Sequence, residues 1–175
     1  MAIGEGVSQA IRSIEPLTDT GRPTSGLPYG LSQGIVGVVG SASTGYKVVL
    51  DDSVIDESKY RNAMAKHVPQ SGLKMVAVER SCRSAKSIAA AWTKISARDW
   101  HPAAKKTTFT ADLDPATEQI VVEYDKATTS AENVAALQNI DGAVVRAVAG
   151  SPQRMTRLSD TPTGGQASRE RGAMD

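Results

Sequence analysis

The sequence predicts an α+β fold: two ββαβ units with antiparallel sheets, joined by a longer helix and flanked by disordered termini. Three observations predict it. First, TFTADLDPATEQIVVEYD at 108–125 alternates apolar and polar residues on both sides of an acidic, proline-containing turn, the pattern of a hairpin of half-buried strands. Second, two earlier apolar runs, GIVGVVG at 34–40 and YKVVLDD at 46–52, are separated by the turn-forming SASTG. Third, each pair is followed by a stretch of helical periodicity and then by one more β-rich run, so residues 35–79 and 108–148 repeat one order of elements. Helices with a single apolar stripe and strands that alternate pack as helices on antiparallel sheets.

Residues 1–33 read as a flexible N-terminal segment. Val7, Ile11 and Ile14 mark a marginal helix, and PLTDTGRPTSGLPYG after it reads as a linker or loop. Residues 34–101 form the first α+β unit with its linking helix. After the hairpin, Tyr60, Ala63, Met64 and His67 stand at i, i+3, i+4 and i+7, one apolar helix stripe. Asp56 is its expected N-cap, and Pro69 with Gly72 ends it. LKMVAVE at 73–79 reads as a largely buried strand. Ile88, Ala91, Trp92 and Ile95 repeat the helical spacing in SCRSAKSIAAAWTKISARDWHP, which Pro102 stops.

Residues 102–150 form the second unit. Phe109, Ala111 and Leu113, then Ile120, Val122 and Tyr124, are the inward positions of its hairpin. Thr129 and Glu132 have the spacing of a capping box, and Ala131, Val134, Ala135 and Gln138 share one face of the helix. GAVVRAVAG supplies a strand at 142–148. The tail at 151–175 is polar and without periodicity, and reads as flexible.

Composition narrows the functional classes. The chain is 40% hydrophobic but only 4% aromatic, so its core is made of Val, Ile, Leu, Met and Ala. A net charge of +1 offers no basic excess, and neither a nucleic-acid nor a membrane-surface partner is expected. No segment approaches the roughly 20 apolar residues of a membrane span. The N-terminus lacks a basic stretch followed by an apolar one, so the expected location is the cytoplasm as encoded, or outside the cell if the N-terminus is incomplete.

Chemistry-bearing residues are sparse. The two histidines, His67 and His101, read as a packing residue at a helix boundary and as a cap at a helix stop. No Gly-x-Ser-x-Gly segment accompanies them, and one cysteine with two distant histidines makes no ligand set. Cys82 reads as a small buried or half-buried residue near a helix start, where a thiol pKa can also be lowered. Asp112, Asp114 and Glu118 share a turn that either is a solvated hairpin tip or attracts Ca²⁺, without the spacing of an EF-hand loop. Arg80, Arg83 and Lys86 surround a helix start, as a solvated face or an anion site. GIVGVVGSASTG and TPTGGQA lack the Lys-Ser/Thr ending of a phosphate loop. Neither an enzyme nor a cofactor is expected.

The segments GYKVVLDDSVIDESKYRNAM, RSCRSAKSIAAAWTKISARDW and FTADLDPATEQIVVEYD resemble the N-terminal regions of actinobacterial trypsin-like serine proteases, the pro segments of the α-lytic protease and streptogrisin group. The residues that carry the likeness are Asp114, Pro115, Thr117, Val121, Val122, Ala131, Glu132 and Leu137, and it extends over roughly residues 35–160. It implies a small α+β unit that assists the folding of a chymotrypsin-fold serine protease and can occupy its active site. In that group the protease barrel with its His, Asp and Ser follows. Here RLSDTPTGG is followed by QASRERGAMD and no barrel, so catalytic residues are not carried over, and the chain reads either as a truncated or orphaned gene product or as a free-standing relative that acts in trans. An extended tail entering a protease cleft makes Thr161, Pro162, Thr163, Gly164 and Gly165 the candidate partner-binding residues. Two further readings stay open. One is a small regulatory domain that binds a small ligand between its two units. The other is an oligomeric enzyme using Cys82 or Asp112 and Asp114.

Overall fold

The computed structural model describes residues 2–54 and 57–150. Helix α1 (Ile3–Ile14) opens the chain. Strands β1 (Ile35–Ser41) and β2 (Gly45–Leu50) form a hairpin, helix α2 (Ser58–His67) crosses over, and β3 (Val76–Arg80) returns beside β2. Helix α3 (Ala85–Ala97) leads to the second unit, made of β4 (Phe109–Asp114), β5 (Gln119–Asp125), α4 (Ala131–Gln138) and β6 (Val145–Gly150). The class is α+β, and the ββαβ order occurs twice, as the sequence predicts.

The sheets are mixed, not antiparallel throughout. In each, the hairpin is antiparallel and the third strand runs parallel to the second, in the orders β1-β2-β3 and β4-β5-β6. Connectivity is the cause. A helix spanning from one strand to its immediate neighbour returns the chain to the starting end, so β3 must run with β2, and β6 with β5. Tyr46 pairs with Val76 and Ile120 with Val145 as the first parallel partners in the two units.

Residues 3–14 are not a flexible segment. Val7 and Ala10 are fully buried and Ile11 nearly so, packed with Ile35, Val48, Leu50, Tyr60 and Met64 in one core. Helices α1 and α2 cover one face of the first sheet. The helices approach closely because Gly6 has no side chain: a Cβ there would lie 2.6 Å from the His67 carbonyl oxygen. Gly6→Ala is therefore expected to cost about 1–3 kcal/mol by forcing packed helices apart, although alanine is the better helix former by about 1 kcal/mol. A urea midpoint equal to or above that of the parent would show that the helices give way freely.

The loop after α1 is held as well. The buried Glu15 carboxylate accepts from Gly30 N (3.3 Å) and from the Ser32 hydroxyl (2.9 and 3.0 Å to its two oxygens). Trp92 Nε1 donates to Gly26 O at 3.2 Å, and the Arg12 guanidinium lies 4.8 Å over the Tyr29 ring.

A second core lies between the other face of the first sheet and the second unit. Val36 and Val49 meet Ile88, Ala91 and Ile95 of α3 together with Phe109, Ile120, Val122, Leu137 and Val145. One helix thus serves both sheets. Its N-cap Ser84 accepts from Ser87 N at 3.4 Å. The second sheet buries one face only. Its opposite face carries Thr110, Asp112, Val121, Glu123, Arg146 and Val148, none of them buried.

Three local expectations shift. The strand expected from 73 begins at Val76, because residues 70–75 wind into a 3-10 turn; it is half-exposed, not largely buried. Helix α4 is capped by Ser130, whose hydroxyl accepts from Asn133 N at 3.2 Å, and not by Thr129. It buries Asn133 and Leu137, not the face of Ala131 and Ala135. Asp56, the expected cap of α2, lies outside the described residues.

Candidate functional site

Residues singled out in the sequence meet where the two units join. The turn between β4 and β5 is shaped by Asp114, whose carboxylate accepts from Ala116 N (3.0 Å) and the Thr117 hydroxyl (2.9 Å). At the end of this turn, directly after Thr117, Glu118 takes a left-handed conformation with φ 55°. Side chains other than glycine rarely adopt it, at a cost of about 1–2 kcal/mol. The conformation directs the carboxylate across to the loop before α3. There Oε1 accepts from Cys82 N (3.1 Å) and Oε2 from Arg83 N (3.0 Å). The Ser81 hydroxyl lies 2.8 Å from Oε2 and 2.6 Å from Arg83 O, and its one proton serves either acceptor.

Asp51, at the end of β2, completes the arrangement. It is buried, and its Oδ2 accepts from Ala85 N at 3.1 Å and from the Ser53 hydroxyl at 2.8 Å. Arg80 Nη1 donates to Asp51 O and Val54 O, both at 3.1 Å, and its other nitrogen pairs with Glu57. Main-chain N–H groups around the start of α3, and not a cluster of the Arg80, Arg83 and Lys86 side chains, thus hold the protein's own carboxylates, Glu118 and Asp51. The acidic hairpin tip is not simply solvated: Glu118 joins the two units.

Beside this junction a cleft of about 310 Å³ opens between the first sheet and the hairpin tip, lined by Val39, Thr44, Lys47, Glu79, Pro115 and Glu118. Lys47 Nζ and Glu79 Oε2 are 3.1 Å apart on its wall, each more than half exposed.

The remaining candidates do not converge on it as a reactive set. Cys82 is exposed, not buried or half-buried, and contributes its main-chain N–H to the junction. His67 lies on α2 with Nε2 buried and, among the described residues, without a hydrogen-bond partner. His101 Nδ1 accepts from Ala103 N at 3.1 Å in the turn before residues 104–106; it does not cap α3, which ends at Ala97 with Arg98 as its C-cap, short of His101 and Pro102. Asp112 is exposed on the open face of the second sheet. With Asp114 held in its turn and Glu118 in the junction, the acidic trio does not point at one ion. Among the described residues no three His, Cys, Asp or Glu side chains are grouped to hold a metal, and no helix is long and apolar enough to cross a membrane. Thr161, Pro162, Thr163, Gly164 and Gly165 lie outside the described residues.

Sequence reading missed a buried polar cluster beneath the second sheet. Asn133, 2% exposed, accepts from Trp100 Nε1 at 2.7 Å and donates through Nδ2 to the Thr107 hydroxyl at 2.7 Å. Trp100 meets Phe109 edge to face at 5.4 Å, and the Arg98 guanidinium lies 4.6 Å over the same ring. The available signal was Trp100 itself, since a buried indole N–H needs an acceptor. No protein-family model matches the chain, and neither a curated protein nor a solved structure matches it.

Proposed function

We propose that this chain is a non-catalytic binding module that engages a chymotrypsin-fold serine protease in the manner of a pro region, assisting its folding or blocking its active site. The observation that carries the reading is where the residues of the resemblance fall. Asp114, Pro115, Thr117, Val121 and Val122 build one hairpin, and Glu132 with Leu137 belongs to the helix packed against it. That unit has β4 as an outer strand, with β5 its one strand neighbour among the described residues, and one sheet face that leaves Asp112, Arg146 and Val148 exposed. An outer strand supplies main-chain donors and acceptors to a partner sheet, with side chains of the adjoining face setting specificity. Titration into a streptogrisin-type protease assay at neutral pH tests the proposal. Stoichiometric loss of activity, or a raised yield of refolded protease, is expected; neither effect at micromolar concentration overturns it.

The cleft at the junction favours a second reading, a regulatory domain that takes a small ligand between its units. Its wall offers a cation, an anion and a hydroxyl in Lys47, Glu79 and Thr44, beside apolar Val39 and Pro115. A ligand seated there would raise the melting temperature in proportion to its occupancy. Lys47→Ala would remove that rise without affecting any protease inhibition.

A further inference from the structure

The two units differ in how they treat the outer edge of their third strand. In the second unit, Ile120 N donates to Val144 O. Alternation along a parallel ladder then turns the main-chain groups of Val145 and Ala147 outward. Those groups are taken by one side chain: Gln138 Nε2 donates to Val145 O at 2.6 Å, and Ala147 N donates to Gln138 Oε1 at 3.1 Å. The carboxamide copies one residue of a further strand and closes the edge. In the first unit, Ser81 N donates to Leu50 O, so Ala77 and Glu79 face β2 while Val76 and Val78 turn outward. By register, Val76 and Val78 match Val145 and Ala147. Val76 N bonds to Leu73 O within the preceding turn. Among the described residues no side chain is bonded to Val76 O or to either main-chain group of Val78.

A groove runs along this edge. It has a volume of about 520 Å³ between α2 and β3, and Tyr60, Met64, Ala65, Leu73, Val76 and Val78 line it. Tyr60 is buried at the base of the groove, and that burial pushes its hydroxyl up to about 12. Basic residues flank the groove. Helix α2 and the 3-10 turn Gln70–Met75 carry Arg61, Lys66 and Lys74 and no acidic residue, while Lys59 of α2 donates instead to Gln33 Oε1 at 2.8 Å. Glu57, just before α2, is held by Arg61 and Arg80, and Glu79 points to the other face of the sheet, where it pairs with Lys47.

We propose that the outer edge of β3 and the groove beside α2 form a peptide-binding site, whose occupant is an extended acidic segment of a partner protein. The segment adds as a fourth strand, bonding Val76 O and both main-chain groups of Val78. Its apolar residues at alternate positions enter the groove over Met64 and Leu73, and its carboxylates meet the basic residues of α2 and the turn. This site lies on the first unit, and the protease reading rests on the second, so each stands or falls separately.

The test uses the full chain and three fluorescein-labelled octapeptides: one alternating Val and Glu, one alternating Val and Lys, and the Val/Glu peptide with a central proline. Fluorescence anisotropy is expected to show binding of the first at micromolar concentration, and at least about tenfold weaker binding of the other two. Hydrogen exchange is expected to show the Val78 amide open in the free protein and protected by the first peptide. Ala65→Trp fills the groove from an exposed position on α2 and should weaken the first peptide at least about tenfold with the melting temperature held. Equal binding of all three peptides, or a Val78 amide already protected in the free chain, overturns the proposal. Concentration-dependent dimerisation abolished by Ala65→Trp also overturns it, since the occupant is then a second copy.

Discussion

Asn133→Ala is expected to lower folding stability by about 2–4 kcal/mol, because it removes two buried hydrogen bonds and leaves an indole donor without an acceptor. Asn133 is 2% exposed, and its amide is the bridge between Trp100 and Thr107. Thr107 keeps its own bond to Ala103 O at 3.1 Å. The Trp100 N–H has no such substitute. The loss is expected to spread, because Trp100 packs on Phe109 and Phe109 is fully buried at the start of β4. A urea titration followed by tryptophan fluorescence measures the effect. A loss below about 1 kcal/mol would mean that water replaces the amide, and that the cluster is not what orders the second sheet.

The Glu118 variants carry the second large effect, and their order is more telling than their size. Glu118→Ala removes a carboxylate that accepts from two main-chain N–H groups and faces a hydroxyl. Bonds to a charged acceptor are the stronger kind, but this one is partly exposed and water competes for it, so the expected loss is about 2–3 kcal/mol. Glu118→Gly loses the same bonds yet fits the left-handed backbone, so it should be more stable than Glu118→Ala by about 1 kcal/mol. Both variants should loosen the link between the units. Unfolding followed by near-ultraviolet and far-ultraviolet signals should then lose its coincidence. Coincident transitions, with alanine equal to glycine, would place the join in the apolar core alone.

These two residues also mark the limit of what the sequence discloses. The β4–β5 hairpin is legible because Phe109, Ala111 and Leu113 alternate against Tyr124, Val122 and Ile120, and the register pairs them in that order. Helix α3 is legible because a helix packed on two sheets must repeat large apolar residues at three and four. Polar residues escape this logic. Asn133 stands inside a helix, and a rule that looks for apolar periodicity assigns it to water, although its partners Trp100 and Thr107 draw it inward. Glu118 belongs to an acidic turn that composition alone marks as solvated. Its main-chain N–H partners lie 35 and 36 residues away, which no residue type announces. The same applies to strand direction. Alternation gives the buried face, whereas parallel pairing follows from which strand the helix returns beside.

The placement of α1 sets a condition on how the chain is made. Val7 and Met64 share a core yet stand about 57 residues apart. At a synthesis rate of about 5–20 residues per second, the helix waits roughly 3–11 s for its partner to be polymerised. Until the β1–β2 hairpin (residues 35–50) is made, Val7, Ala10 and Ile11 have nothing of the first sheet to rest on, and α2 comes later still. The nascent chain thus displays a greasy helix before it owns anything to cover it, and that is the window in which a holdase or trigger-type chaperone would find it.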